Sequence, residues 1–94
     1  MSYDGVMRLA KERPDWLPIA KACYETAMEY GEFAGSWALE EARKQGIYWF
    51  PNLKPLVTYS ILKHTDTTRG GRRAYYIMPE QSGVGRALHQ LGII

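Results

Sequence analysis

The sequence has very little cysteine and no long apolar run, and each of these absences excludes a class of protein. Cys23 is the single cysteine among 94 residues, so no disulfide can form within the chain and a cysteine-based zinc site is disfavoured. Uninterrupted apolar runs are only a few residues long, whereas a membrane-spanning helix needs about 20 apolar residues. The N-terminal residues include charged side chains at the positions where a signal peptide would have an apolar stretch. We therefore expect one cytoplasmic domain over residues 1–94, with no membrane segment.

Acidic residues are scarce in the C-terminal half. Residues 1–50 carry 6 Lys and Arg against 8 Asp and Glu, whereas residues 51–94 carry 6 against 2. The whole chain has a net charge of +2, with 46% hydrophobic and 23% charged residues, which is typical of a globular protein. The uneven distribution predicts that an anionic partner docks on the C-terminal half.

The first well-marked element is a helix over residues 16–31. Its apolar positions are four and three residues apart, as on one face of a helix. Asp15 is the expected N-cap, and Gly31 the expected end. Residues 1–13 fit either a flexible arm or a short helix. The apolar face consists of Trp16, Ala20, Cys23, Ala27 and Tyr30.

Two further helices are predicted between residues 36 and 60. One begins with Ser36 as its N-cap and ends at Gly46, after a short extended segment over residues 32–34. The next begins at Asn52, because PNLKP repeats the proline spacing of the earlier PDWLP, and it continues to residue 60. Its leucines and valine predict a buried face opposite a polar one.

A hairpin with a basic tip is predicted next. Residues 61–65 and 72–78 have strand composition, and Gly70 and Gly71 between them allow the chain to reverse. A last helix is predicted over residues 82–92, although glycine does not favour its first turn. The arginines around the glycine pair are Arg69, Arg72 and Arg73.

This order of elements, with LVTYSILKHTDTTRGGRRAYYIMPEQSGVGRAL, resembles the winged helix-turn-helix domains of small prokaryotic transcriptional regulators from about residue 16 to residue 92. In those domains the third helix enters the DNA major groove and the basic hairpin is a wing. The resemblance implies an α+β fold with a three-helix core, a two-stranded wing and a C-terminal helix. It implies DNA contacts from helix 52–60 and wing 66–73, through Asn52, Lys54, Thr58, Tyr59, Thr67, Thr68, Arg69, Gly70, Gly71, Arg72 and Arg73.

The residue types in these two segments suit contact with a polyanion. Exposed arginines displace counterions from DNA, and hydroxyls such as those of Thr67 and Thr68 can donate to phosphate oxygens. Within the helix, asparagine, lysine and threonine match edges of adenine, guanine and thymine. Two alternatives stay open. In the first, one of the two arginines Arg72 and Arg73 points inward or forms an ion pair with an acidic residue, and so does not contact DNA. In the second, Tyr59 is half-buried against the strand and does not contact DNA.

No catalytic arrangement stands out in the sequence. His64 and His89 have no carboxylate or cysteine at metal-ligand spacing. Glu40 and Glu41 are neighbours on one helix and point in different directions, so they form no catalytic pair. We therefore expect neither an enzyme nor a bound metal or cofactor.

Two functions remain open from the sequence. The first is a regulator that binds double-stranded DNA as a homodimer, paired through residues 16–31 and 82–94, because pairing doubles the contacts with DNA. The second is a winged helix that binds an acidic protein surface, with the aromatic turn 48–50 as an apolar anchor. The same aromatic turn alternatively packs over the core between the helices.

Overall fold

The computed structural model describes residues 2–49, 52–65 and 74–94, and these form an α+β structure. Within them, five α-helices and one short 3-10 helix surround a sheet of three antiparallel strands. The elements are α1 (Ser2–Glu12), the 3-10 helix (Pro14–Trp16), α2 (Leu17–Tyr30), β1 (Phe33–Ala34), α3 (Gly35–Lys44), α4 (Lys54–Thr58), β2 (Lys63–Thr65), β3 (Tyr75–Ile77) and α5 (Gln81–Gln90). No helix in the described ranges has the length and apolar character needed to cross a bilayer.

The sheet brings distant parts of the chain together. Its strand order is β1-β3-β2, so β1, which lies between α2 and α3, pairs with β3 near the end of the chain. Phe33 lies opposite Tyr76, and Lys63 lies opposite Ile77. α3 begins at Gly35, directly after β1. The amide of Gly35 donates to the carbonyl of Ala74 (3.0 Å), which ties the start of α3 to the residue before β3.

One hydrophobic core joins the helices to the sheet. Phe33 from β1 is fully buried and lies among residues contributed by every helix. Burial of such apolar area is the dominant favourable contribution to folding. The largest fully buried side chains are Phe33, Leu9, Ile19, Leu56, Ile61, Leu88, Val6, Val84 and Cys23.

The predicted helices occur, but two predicted N-caps are wrong. The 3-10 helix that starts at Pro14 leads into α2, and Trp16, rather than Asp15, is the residue at its N-cap. Ala34 precedes α3, which places Ser36 inside that helix. In both cases the preceding structured segment determines where the helix starts. The end of α2 at Gly31 (φ 75°) is confirmed.

Other boundaries also differ from the prediction. The helix predicted over residues 52–60 is only five residues long, and the strand predicted over residues 61–65 begins two residues later. Both differences arise because the amides of Ile61 and Leu62 donate back to the carbonyl of Leu56 (2.9 and 3.2 Å), which closes the helix in a turn. Residues 2–12 are helical, so the helical alternative for the N-terminal segment is correct.

A close approach between helices explains one glycine that sequence rules disfavour. Gly85 lies in the middle of α5, where glycine costs about 1 kcal/mol relative to alanine. A Cβ atom there would lie 2.7 Å from Cζ of Tyr24 on α2. The absence of a side chain therefore lets the tyrosine ring of α2 pack directly on the α5 backbone.

Candidate functional site

The most informative surface feature is a cleft between α1 and α4, of about 410 Å³. We name it the α1–α4 cleft. Each residue of the predicted recognition helix that was assigned to DNA contact lines it, although the lining also includes residues of the N-terminal segment. The lining residues are Arg8, Glu12, Arg13, Asn52, Lys54, Pro55, Thr58 and Tyr59.

Local interactions of α4 orient its polar side chains toward the cleft. Oδ1 of Asn52 accepts a hydrogen bond from the amide of Lys54 (2.9 Å), which satisfies one of the unpaired amides at the start of the helix. Leu53 and Leu56 are buried on the opposite face. Lys54 and Thr58 consequently point outward and are exposed.

The hydrogen bond at Asn52 changes the role expected for this residue. Pairing with adenine uses the side-chain oxygen and nitrogen of asparagine together. Oδ1 of Asn52 already accepts from the Lys54 amide and so closes a local turn before α4, whose N-cap is Leu53. The amide nitrogen of Asn52 is therefore the group suited to an external acceptor.

α1 supplies the other wall of the cleft because glycine allows it to approach the C-terminal end of α4, at Tyr59, closely. A Cβ atom at Gly5 would overlap the carbonyl oxygen of Tyr59, so only glycine fits at this close approach. The last turns of α1 then carry Arg8, Glu12 and Arg13 to the cleft. The amide of Arg13 donates to the carbonyl of Leu9 (2.7 Å), which holds Arg13 on the helix end.

Glu12 joins the two walls of the cleft. The hydroxyl of Tyr59 donates to Oε1 of Glu12 (2.7 Å), and Nε of Arg8 lies 3.5 Å from the other carboxylate oxygen. The Arg8 guanidinium also lies 5.4 Å from the centre of the Tyr59 ring, in a cation–π arrangement. Tyr59 is therefore half-buried, as the alternative expected, but its ring and hydroxyl contact α1, whereas that alternative named the strand.

The cleft is positively charged at neutral pH. The hydrogen bond from Tyr59, followed by the positive charge of Arg8, lowers the pKa of Glu12, and the same hydrogen bond raises the pKa of Tyr59. Both directions favour the ionised carboxylate and the protonated phenol, which are the usual forms of these groups at neutral pH. Three cationic side chains and one carboxylate leave a net charge of +2 in the cleft.

Sequence reasoning missed the contribution of α1. It left residues 1–13 without a defined structure, so Arg8, Glu12 and Arg13 received no role. One signal was available, because Arg8 and Glu12 are four residues apart and such pairs meet on one helix face. That signal gives the partner within α1 but not the helix that α1 contacts.

The second predicted DNA-contacting segment lies outside the described residues. Asp66 to Arg73 fall in the gap between β2 and β3, so the assignments of the wing residues remain predictions from sequence. Phe50 and Pro51 lie in the other gap. The wing residues concerned are Thr67, Thr68, Arg69, Gly70, Gly71, Arg72 and Arg73.

The aromatic turn is more exposed than packing over the core would require. Tyr48 is 70% exposed and Trp49 is 52% exposed, while the preceding Ile47 packs against the core. Trp49 meets the buried Trp16 edge to face, with ring centres 5.3 Å apart. Tyr48 and Trp49 therefore present aromatic surface to solvent, as the interpretation of this turn as an exposed anchor predicted, while Phe50 lies outside the described residues.

A second cleft, of about 330 Å³, lies between α2 and α3 and has the opposite charge. Glu29, Glu40 and Glu41 line it with a single lysine, Lys44, whose Nζ lies 3.8 Å from a Glu41 carboxylate oxygen. No residue lines both clefts. Positive and negative charge are therefore separated between two concave surfaces of the described structure.

The described residues contain no candidate centre for metal or thiol chemistry. No three His, Cys, Asp or Glu side chains within residues 2–49, 52–65 and 74–94 are arranged to hold a metal ion. Cys23 is fully buried, and burial raises the pKa of its thiol, which keeps it protonated and unreactive. His64 packs its ring against Tyr76, with centres 5.3 Å apart.

Comparisons of the chain with protein-family models, with curated proteins and with solved structures find no match. Arguments about function therefore depend on the residues and geometry described above.

Proposed function

We propose that the chain is a winged helix-turn-helix protein that regulates transcription by binding double-stranded DNA through the α1–α4 cleft and the basic segment 66–73. The observation that carries the proposal is the convergence of Arg8, Arg13 and Lys54 on one cleft. These residues come from two helices separated by about half of the chain. A concave surface with several exposed cations attracts a polyanion and favours phosphate contacts.

The arrangement of elements supports the winged-helix part of this proposal. α2, β1, α3, α4, β2, β3 and α5 follow the order expected for such a domain, and the strand order β1-β3-β2 places β2 and β3 side by side. The segment that joins these two antiparallel strands contains Arg69, Arg72 and Arg73. In this scheme α3 and α4 form the helix-turn-helix, and α1 is an additional helix that enlarges its contact surface.

The side chains in the cleft have distinct chemical roles in this proposal. The planar guanidinium groups of Arg8 and Arg13 can each grip a phosphate through two donors, whereas Lys54 acts as a point charge. The hydroxyl of Thr58 and the amide nitrogen of Asn52 add neutral donors to phosphate oxygens. This set favours recognition of the DNA backbone over reading of base edges.

Titration of the wild-type protein against duplex DNA at several salt concentrations tests the proposal. If the three cations of the cleft each neutralise one phosphate, a plot of log K against log salt should fall with a slope of about −2.7, and contacts from segment 66–73 should steepen it. Fluorescence anisotropy of a labelled duplex measures this. Absence of duplex affinity at low salt would reject binding of double-stranded DNA.

Removing the negative charge of the cleft should strengthen DNA binding. We expect Glu12→Gln to raise duplex affinity about two- to fivefold at low salt, because Glu12 repels phosphates and attracts Arg8, while glutamine keeps an acceptor for Tyr59. Glu41→Gln is the matched control, since it removes the same charge from a glutamate paired with Lys44 in the other cleft. Equal effects of the two substitutions would show that only total charge matters.

A protein-binding function is the second candidate, and the exposure of Tyr48 and Trp49 favours it. Exposed aromatic residues beside arginines are typical of binding hot spots between proteins. In that case the basic segment docks on an acidic partner and the aromatic turn anchors it. The salt titration separates the two functions, because absence of duplex affinity would favour protein binding over DNA binding.

Pairing of two chains forms part of the proposal. Met28 near the end of α2 is 62% exposed, and Ile94 beyond α5 is 43% exposed. Both lie in the segments 16–31 and 82–94 that were expected to form a homodimer, and their burial would favour association. Sedimentation equilibrium measures the oligomeric state directly.

A further inference from the structure

Trp49 is an aromatic side chain held in place at one edge and exposed elsewhere. Its ring meets that of Trp16 edge to face at 5.3 Å, and Trp16 is only 6% exposed. A buried partner of this kind limits the rotation of the Trp49 side chain, so little conformational entropy is left to lose when a ligand contacts it. Trp49 itself remains 52% exposed.

Trp49 is not one of the lining residues of the α1–α4 cleft, but two chain distances bring it near. Along the chain it precedes Asn52, a lining residue, by three positions. In space it contacts Trp16, which follows another lining residue, Arg13, by three positions. Three residues span at most about 11 Å between Cα atoms. A strand of a few nucleotides can therefore contact the cleft and Trp49 together.

We infer that Trp49 stacks on an unpaired base of single-stranded DNA whose phosphates lie in the α1–α4 cleft. Proteins that bind single strands combine a cationic groove with exposed aromatic rings, because every base offers a π-face. A duplex covers these faces by base stacking, so Trp49 distinguishes the two forms of DNA. The inference rests on the proposed function and adds to it the form of DNA that the cleft and Trp49 bind together.

Charge together with an exposed indole fits a nucleic acid as the occupant of this surface. The cleft beside Trp49 carries a net charge of +2, and Asn52 and Thr58 add donors suited to phosphate. The cationic side chains then contact the phosphates of the DNA strand, and the indole of Trp49 contacts one of its bases.

The test compares a fluorescein-labelled oligothymidylate of about 12 nucleotides with a duplex of the same length, since single-strand sites cover about 4–16 nucleotides. Wild type, Trp49→Ala and Trp49→Phe are titrated by anisotropy at one low salt concentration. Trp49→Ala should weaken oligothymidylate binding by about 5- to 150-fold, as expected for the loss of one stacked base, and change duplex binding less than about twofold. Trp49→Phe should retain most of the affinity, because phenylalanine also stacks.

The outcomes separate this inference from the proposed function. Wild type that binds duplex but not oligothymidylate overturns the inference and leaves duplex binding intact. Equal losses on both ligands, or no loss with Trp49→Ala, also overturn it. Binding of neither ligand rejects the proposed function together with the inference. Circular dichroism of both variants checks that they are folded, and a loss of oligothymidylate binding by folded Trp49→Phe also overturns the inference.

Discussion

Replacing Arg8, Arg13 and Lys54 together by alanine should lower duplex affinity by on the order of 100-fold at low salt, at about 1 kcal/mol for each charge-assisted phosphate contact. The slope of log K against log salt should become shallower by about 2.7, because three phosphates lose their partners. All three residues line the α1–α4 cleft. Anisotropy titration over a range of salt concentrations measures both quantities. Folding should be nearly unchanged, since exposed ion pairs such as Arg8 with Glu12 stabilise proteins weakly.

A second triple variant controls for total charge. Lys21, Arg43 and Lys44 lie on α2 and α3, away from the α1–α4 cleft. Their replacement by alanine changes the net charge from +2 to −1, the same change as in the cleft variant. We expect this control to bind duplex DNA much more tightly than the cleft variant. If the two variants lose affinity equally, the cleft is not the binding surface.

Gly5→Ala should lower the free energy of unfolding by about 2 kcal/mol and weaken DNA binding. The new Cβ would overlap the carbonyl oxygen of Tyr59, and a backbone atom cannot rotate away as a side chain can. Overpacking of this kind costs about 1–3 kcal/mol or more, while the better helix propensity of alanine returns about 1 kcal/mol. α1 must then shift from α4, which separates Arg8 and Arg13 from Lys54. Urea denaturation and the duplex titration measure the two effects.

Gly83→Ala is the matched control for this prediction. Gly83 also lies in a helix, α5, but a Cβ atom there would be 3.6 Å from the nearest atom, the backbone nitrogen of Tyr3, which is an ordinary contact. We expect a stabilisation of up to about 1 kcal/mol from helix propensity and unchanged DNA binding. A Gly5→Ala protein as stable as the Gly83→Ala protein would contradict the proposed close approach of α1 to the end of α4.

The predictions from sequence that succeeded depended on local signals. The apolar spacing in α2 and the glycine at its end depend on residues within a few positions of each other, and Gly31 does adopt the positive φ that favours glycine. The predicted caps Asp15 and Ser36 failed because each competes with a neighbouring structure, a 3-10 helix before α2 and a paired strand before α3. Propensity alone does not include those competing contacts.

The candidate site shows the same division. The polar residues of α4 were predicted because a helix with leucines on one side must expose the other. The sequence left open whether Tyr59 is exposed to a ligand or half-buried. Its contact with Glu12, 47 positions away in the sequence, could not be inferred from spacing. The exposure of Trp49 was also undecided, because an aromatic turn fits either a core or a surface.

The sequence by itself determined the α+β class, the positions of most helices and strands, and the separation of charge between the two halves, because these follow from composition and from repeats over a few residues. Only the tertiary structure decided that α1 approaches the end of α4 at Gly5 and that Arg8 and Arg13 share a cleft with Lys54. The physical reason is range. Helical and strand periodicity depends on neighbours in the chain, whereas the meeting of α1 and α4 depends on how their apolar faces pack into one core.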